Sequence, residues 1–206
     1  MSTPSWSRVV FERMYQRHPD PWGVRTRAYE QDKYRQTLAP LAGLHFCQAL
    51  ELGCSIGVMT ARLARQCDHV LAVDVAETAL MHARRHCAGL AGVSFHHGQL
   101  PGAFPPLPRH GCDLIMISEL LYFLSRVDIA QLAARCLHVR RPEAPIILVN
   151  WTGPTDTPCH GDEAAEHFIN FCHGEGVRVV HGRRFPHYRL DMLNGGSRPP
   201  GPVAAG

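Results

Sequence analysis

The segment Ala49-Leu50-Glu51-Leu52-Gly53-Cys54-Ser55-Ile56-Gly57 is the most informative part of the chain. The apolar run 46–52 predicts a short buried strand, and the glycines after it predict a tight turn into a helix. In folds that alternate strands and helices, such a turn lies at the carboxyl end of a strand, where glycine lets the backbone approach a ligand closely. The segment therefore predicts a ligand site on an α/β fold.

The sequence on both sides of this segment alternates between helical and strand patterns. The predicted helices are 5–17, 26–39, 56–66, 76–87, 128–137 and 162–172, and the predicted strands are 46–52, 69–74, 93–97, 112–118, 145–151, 177–182 and 186–192. Strands separated by helices imply βαβ units and a mostly parallel sheet. The last two strands are joined too closely for a parallel crossover, so they must form a hairpin. We expect a Rossmann-like α/β fold whose seven-stranded, mostly parallel sheet ends in a C-terminal antiparallel hairpin.

Three regions follow from this pattern. Residues 1–45 are predicted to form a helical cap, or lid, over the ligand, and residues 46–193 the sheet domain. The tail 194–206 consists mainly of Gly, Pro and Ala with little to pack, and we expect it to be disordered. A chain of 206 residues fits this single-domain organisation, and no separate substrate domain is predicted.

Composition excludes several classes of function. The net charge of +3 is too small to suggest nucleic-acid binding. We identify no signal peptide and no run of apolar residues long enough for a membrane span, so we expect a soluble, cytoplasmic protein. The eight cysteines contain no C-x-x-C pair, which favours reduced thiols over disulfides and predicts no metal site.

Two chemistries other than the favoured one could use the glycine turn. Gly53-x-Ser55-x-Gly57 matches the G-x-S-x-G nucleophile elbow of hydrolases, but that elbow follows several sheet strands, whereas here it would follow the first predicted strand, which only helices precede. A dinucleotide site is typified by G-x-G-x-x-G, and this spacing is not reproduced.

The third chemistry, binding of S-adenosylmethionine, fits the segment best. Glu51-x-Gly53-x-Ser55-x-Gly57 resembles the first motif of class I methyltransferases, E/D-x-G-x-G-x-G, with serine in place of the middle glycine. The second predicted strand ends at Asp74, where a carboxylate can accept hydrogen bonds from both ribose hydroxyls. The cofactor is therefore predicted to be S-adenosylmethionine.

Further motifs narrow the resemblance to one family. Asp20-Pro21-Trp22-Gly23, Tyr29-Glu30-Gln31-Asp32-Lys33-Tyr34, the segment 118–124 (SELLYFL) and the segment 150–156 (NWTGPTD) resemble the nodulation protein S family of methyltransferases, from about residue 10 to residue 193. This resemblance implies methyl transfer to a free amine on a partly deacetylated chitooligosaccharide. The alternatives are O- or N-methylation of another small metabolite, and a catalytically inactive regulator that binds S-adenosylmethionine. Neither the exact acceptor nor the oligomeric state is predicted.

The resemblance also assigns candidate residues. Those for the cofactor are Tyr29, Lys33, Glu51, Gly53, Cys54, Gly57, Asp74, Val75, Gln99, Leu100 and Ser118. Tyr29 and Lys33 share a helix face and could close over the methionine carboxylate of the cofactor, whereas a solvated surface lysine is the alternative. Gln99 stands where many relatives have an acidic residue that contacts adenine.

The acceptor is assigned to residues with aromatic, carboxylate or amide side chains, which are suited to sugars. They are Trp22, Tyr122, Trp151 and Asp156, and packing roles are the alternative for the aromatic residues. Glu119 is the candidate catalytic residue, which would orient or deprotonate the acceptor amine. Its alternative role is to cap the turn that follows it.

Overall fold

Seven strands form one sheet in the computed structural model, which describes residues 3–195. The strands are β1 (Phe46–Leu52), β2 (Cys67–Asp74), β3 (Val93–His97), β4 (Leu114–Ser118), β5 (Ile146–Trp151), β6 (Arg178–Arg184) and β7 (Tyr188–Asn194). Their order is β3-β2-β1-β4-β5-β7-β6, with β1–β5 parallel and β7 antiparallel to both of its neighbours. The predicted fold class is confirmed.

Helices cover both faces of this sheet. They are α1 (Arg8–Arg17), α2 (Ala28–Leu38), α3 (Val58–Leu63), α4 (Glu77–His86), α5 (Arg126–Val139) and α6 (Gly161–Gly174), with short 3-10 turns at Ala39–Leu41 and Leu121–Phe123. Because its faces are covered, the central strand β4 is a continuous apolar run whose first four residues are fully buried. The core therefore lies between the sheet and its helices.

Several boundaries differ from the sequence prediction, and two of the differences have a clear physical reason. The helix predicted for 56–66 is the shorter α3, because Gly57 at φ +81° is its N-cap and the chain enters β2 already at Cys67. The tail was expected to start at residue 194, but Asn194 belongs to β7, where it pairs with Arg178 across the hairpin. The predicted disorder of 196–206 lies outside the described residues.

The topology places the ligand site. The chain continues outward from β1 to β2 and β3 on one side, and to β4 and β5 on the other. The point where the strand order reverses, beside the carboxyl end of β1, is where ligands bind in open α/β sheets. The N-terminal segment lies over this edge, and the backbone N–H of Trp6 donates to the carbonyl of Phe123 at 2.9 Å.

The cysteines are all free thiols, and seven of the eight are buried; Cys47 is exposed. Among residues 3–195, no group of three or more His, Cys, Asp or Glu side chains is arranged to hold a metal ion. In the same range, every helix is too short or too polar to cross a membrane.

Candidate active site

A cavity of about 440 Å³ lies at the carboxyl edge of the sheet, beneath α1 and α2. Its volume is within the range of about 300–1,000 Å³ that is typical of small-molecule sites. Most of the predicted site residues line it: Trp22, Lys33, Glu51, Gly53, Cys54, Asp74, Val75, Gln99, Leu100, Ser118, Glu119, Tyr122, Trp151 and Asp156. The fold thus brings the predicted cofactor and acceptor residues into one cavity.

The glycine turn is held by the neighbouring strand β2. The N–H groups of Gly53 and Cys54 both donate to the carbonyl of Val73 at 2.9 Å. The N–H of Ser55 donates to Asp74 at 2.8 Å, and the Ser55 hydroxyl oxygen accepts a 2.6 Å hydrogen bond from the hydroxyl of Tyr15. Ser55 has φ +51°, in the left-handed region, which explains why glycine is usual at this position of the motif.

Asp74 is fixed in place by backbone donors. Besides the Ser55 N–H, the N–H of Ala76 donates to its carboxylate at 2.9 Å. Burial raises the pKa of this carboxyl, although these hydrogen bonds to the charged form oppose the shift. Each carboxylate oxygen can accept a further hydrogen bond, so Asp74 can still accept from hydroxyl groups of a ligand.

Glu51 is more deeply buried than Asp74. Its side chain accepts a 2.6 Å hydrogen bond from the hydroxyl of Thr60, and the residue is 1% exposed. Burial raises its pKa to about 8. The cavity wall therefore contains a carboxyl group that is mostly protonated at neutral pH, which the sequence pattern did not indicate.

Glu119 and Lys33 form an ion pair at the end of β4. Lys33 Nζ lies 2.8 Å from Glu119 Oε1 and 2.9 Å from Glu30 Oε2. Burial would lower the pKa of Lys33, but the two facing carboxylates raise it above its ordinary value. Lys33 is 4% exposed, so its alternative as a solvated surface lysine is wrong. Its ammonium is committed to these carboxylates, which also leaves it poorly placed to hold a cofactor carboxylate.

The second oxygen of Glu119 is also bonded. Oε2 accepts from the Tyr122 hydroxyl at 2.7 Å and from the Trp151 N–H at 3.0 Å. In the described part of the chain, the turn Leu121–Phe123 has no side-chain cap, so the capping role does not account for Glu119. Glu119 has φ +56°, an uncommon conformation for a residue with a side chain. The Glu119 carboxylate is thus held at the cavity by three donors: the side chain of Lys33 on α2, the side chain of Tyr122 in the connection between β4 and α5, and the backbone N–H of Trp151 on β5.

Two predicted cofactor residues lie outside the cavity lining. Gly57 faces α4, and a Cβ at this position would lie 3.0 Å from the Cβ of Ala83. The absence of a side chain at Gly57 allows α3 to pack closely against α4. Tyr29 packs edge-on against Trp151 and Tyr188, with ring centroids 6.4 and 6.2 Å apart. Its side chain therefore supports the wall from outside.

Trp151 and Gln99 also make contacts within the protein that were not predicted from the sequence. The indole of Trp151 stacks on His187 with centroids 5.4 Å apart, and a Cβ on Gly153 would lie 2.5 Å from an indole carbon. These neighbours pack against the indole, while the half-buried Trp151 also lines the cavity. Gln99 accepts a hydrogen bond from the Arg8 N–H at 3.2 Å, and so it ties the N-terminal segment to the turn after β3.

The sequence reasoning missed Tyr15 and Glu30. Glu30 is three residues before Lys33 on a helix, a spacing at which opposite charges meet, so this signal was present. Nothing in the sequence indicated that Tyr15 reaches Ser55. Because Ser55 bonds to Tyr15 rather than to a histidine, the proton acceptor of a hydrolase elbow is not in place.

Comparison with known proteins agrees with this geometry. The family model described as Nodulation protein S (NodS) matches residues 8–151. Nodulation protein S of Bradyrhizobium diazoefficiens is 28% identical over 162 residues, which are 78% of this chain and 71% of that protein. Nodulation protein S of Rhizobium tropici is 30% identical over 127 residues, which are 61% of this chain and 51% of that protein.

A solved structure has the same fold. It is the crystal structure of N-methyltransferase NodS from Bradyrhizobium japonicum WM9 in complex with S-adenosyl-L-homocysteine. The similarity covers 91% of this chain and 97% of that one, with a TM-score of 0.75 and 18% identity. The family model spans more than half of the chain, and the fold is that of class I methyltransferases. The chain therefore belongs to the nodulation protein S family of methyltransferases.

Proposed function

We propose that this protein transfers a methyl group from S-adenosylmethionine to a free amine of an amino sugar, such as a partly deacetylated chitooligosaccharide. One observation carries the proposal: a single cavity joins the glycine turn and Asp74 to the Glu119 carboxylate at the end of β4. Family membership supports it, as does the N-methyltransferase of the same fold that binds S-adenosyl-L-homocysteine.

The residues present suit this cofactor. Asp74 is a fixed acceptor for ribose hydroxyls, and Gly53 lines the cavity without a side chain, so a ligand can approach its backbone closely. Gln99 and Leu100 line the part of the cavity after β3 that would receive adenine. When bound, the cofactor supplies a methyl group on positively charged sulfur, and the bonding electron pair stays with sulfur as the new N–C bond forms.

Glu119 is the group best placed to receive the acceptor amine. Its side chain is 25% exposed, although Lys33, Tyr122 and Trp151 donate to it. A carboxylate has about four acceptor positions, so one remains for an N–H of the acceptor. Hydrogen bonding to this position orients the nitrogen lone pair and receives the proton that the amine must lose.

Binding and turnover test the two halves of the proposal separately. Titration calorimetry with S-adenosyl-L-homocysteine should show binding by the wild type and at least tenfold weaker binding by Asp74→Asn, because one amide oxygen replaces two carboxylate acceptors. The matched control is Asp68→Asn, which changes an exposed carboxylate on the same strand. Absence of binding by the wild type would contradict the cofactor assignment.

Turnover is measured by mass spectrometry on chitotetraose with one free amine and on fully N-acetylated chitotetraose. We expect methylation of the first oligosaccharide only. If the protein methylates other amines or alcohols but not this oligosaccharide, the acceptor is another small metabolite and the amino-sugar assignment is wrong. Cofactor binding without methylation of any amine or alcohol would favour an inactive regulator.

A further inference from the structure

A second carboxylate, Glu30, lines the cavity beside Glu119 and has no role in the function proposed above. The Lys33 ammonium lies between the two, within 2.9 Å of each. The side chains of Lys33 and Glu30 are 5% and 11% exposed, and that of Glu119 is 25% exposed. Glu119 is therefore the member of this triad that is most open to the cavity.

The charges of the triad do not cancel. One ammonium between two carboxylates leaves one negative charge, and because Lys33 and Glu30 are almost completely buried, this charge is weakly screened. Asp156 is a further carboxylate in the lining, and besides Lys33 the lining contains one other cation, Arg27. The lining as a whole therefore has an excess of negative charge before any acceptor enters, and the triad places one unit of it beside Glu119.

We propose that Glu30 is a specificity-determining residue, which acts through Lys33 and Glu119 to make the site prefer an acceptor with a protonated amine over one that offers only hydroxyl or amide groups. The inference rests on the proposed function, in which this end of the cavity receives the methyl acceptor. Without Glu30, Lys33 and Glu119 would form a neutral pair with no attraction for a cation.

The preference follows from desolvation. An acceptor that enters the cavity displaces water from the Glu119 carboxylate. An ammonium replaces that water with a charge-assisted hydrogen bond, whereas an alcohol or an acetamide leaves the excess charge without a counterion. A site arranged in this way distinguishes an amine from its acetylated or hydroxylated analogue mainly by binding.

The test compares acceptor affinities of the protein saturated with S-adenosyl-L-homocysteine. The probes are chitotetraose with one free amine and fully N-acetylated chitotetraose, together with a simpler pair, benzylamine and benzyl alcohol. The variants are Glu30→Gln, which removes the charge at nearly constant shape, and Glu30→Asp, which retains it. Asp32→Asn is the matched control, because it changes the net charge equally at an exposed position of the same helix.

We expect the wild type, Glu30→Asp and Asp32→Asn to bind the amine member of a pair about tenfold more tightly than the neutral member, a ratio in the range expected for one weakly screened charge. In Glu30→Gln the ratio should fall to about 2, with unchanged affinity for S-adenosyl-L-homocysteine. An unchanged ratio in Glu30→Gln would overturn the inference, and so would a wild type that discriminates within neither pair. If only benzylamine and benzyl alcohol are discriminated, the inference stands and the amino-sugar acceptor is wrong.

Discussion

The hydroxyl of Tyr15 donates a 2.6 Å hydrogen bond to the hydroxyl oxygen of Ser55, which lies 40 positions later in the chain. Tyr15 is on the buried side of α1, and Ser55 is in the glycine turn. The N-terminal helix is therefore bonded directly to the segment expected to meet the cofactor. Since the Ser55 N–H donates to Asp74, the same contact links α1 to the end of β2.

Removal of this bond should weaken cofactor binding. Tyr15→Phe keeps the ring and deletes the donor, so we expect a loss of about 1 kcal/mol in the free energy of unfolding. We also expect about fivefold weaker binding of S-adenosyl-L-homocysteine, measured by titration calorimetry. Tyr29→Phe is the control, because within residues 3–195 the Tyr29 hydroxyl has no hydrogen-bond partner. Equal effects of the two substitutions would contradict the role of the Tyr15–Ser55 bond.

Lys33→Met should destabilise the protein strongly. It leaves the carboxylates of Glu30 and Glu119 close together without their shared counterion, and breaking a buried ion pair costs about 3–5 kcal/mol. Arg35→Met is the matched control, since it removes an exposed partner of Asp32 on the same helix and should cost no more than about 1 kcal/mol. Urea unfolding measures both variants. Similar losses would show that the buried pair contributes no more than the exposed one.

Substitution of Gly57 can separate the energetic cost of overpacking from the cost of backbone strain. Gly57 and Gly43 have similar positive φ values, +81° and +77°, but a Cβ would contact Ala83 only at Gly57, whereas nothing lies within 4 Å at Gly43. Gly43→Ala should cost about 1–2 kcal/mol from strain alone. Gly57→Ala should cost about 1–3 kcal/mol more from overpacking between α3 and α4. Calorimetric unfolding gives the difference, and equal losses would refute a packing role for Gly57.

The buried Glu51 carboxyl should make stability fall as pH rises. Because burial raises its pKa from 4.5 to about 8, the folded state retains a proton that the unfolded state has lost between these values. The contribution of Glu51 to the free energy of unfolding is therefore most favourable below about pH 4.5. It falls by a few kcal/mol as the pH rises to about 8. Glu51→Gln should gain stability relative to the wild type across this window, measured by urea unfolding at pH 5, 7 and 9.

A control for this pH effect is Glu77→Gln, which changes a half-exposed carboxylate in the first turn of α4. Its stability should follow the pH dependence of the wild type. Parallel curves for Glu51→Gln and the wild type would show that Glu51 is ionised in the folded protein at neutral pH.

The centre of the sheet could be predicted from sequence because β1, β4 and β5 are short, mainly apolar runs that alternate with helical segments. The predicted bounds of β1 and β3 agree with the structure residue for residue. The positions of Asp74 and Glu119 in the cavity could also be predicted. Both residues lie at the carboxyl end of a parallel strand, and these ends all lie at the same edge of the sheet.

The partners of these side chains could not be predicted in the same way. Tyr15 reaches Ser55, and Lys33 reaches Glu119 across 86 positions, through the packing of α1 and α2 over the sheet. Local patterns contain no information about where such a helix docks. The burial of Lys33 was likewise not predictable, since only the fold shows that two carboxylates meet its ammonium.

The thiols buried throughout the fold make this protein suited to labelling at one site. Burial raises the pKa of buried cysteines such as Cys112 and Cys172, each to about 12, so little of the reactive thiolate forms there at neutral pH. Cys47 is exposed at the amino end of β1, about 16 Å along the strand from the turn that begins after Leu52. A maleimide dye on the folded protein would therefore attach at Cys47, remote from the cavity, and report on the molecule without occupying its site.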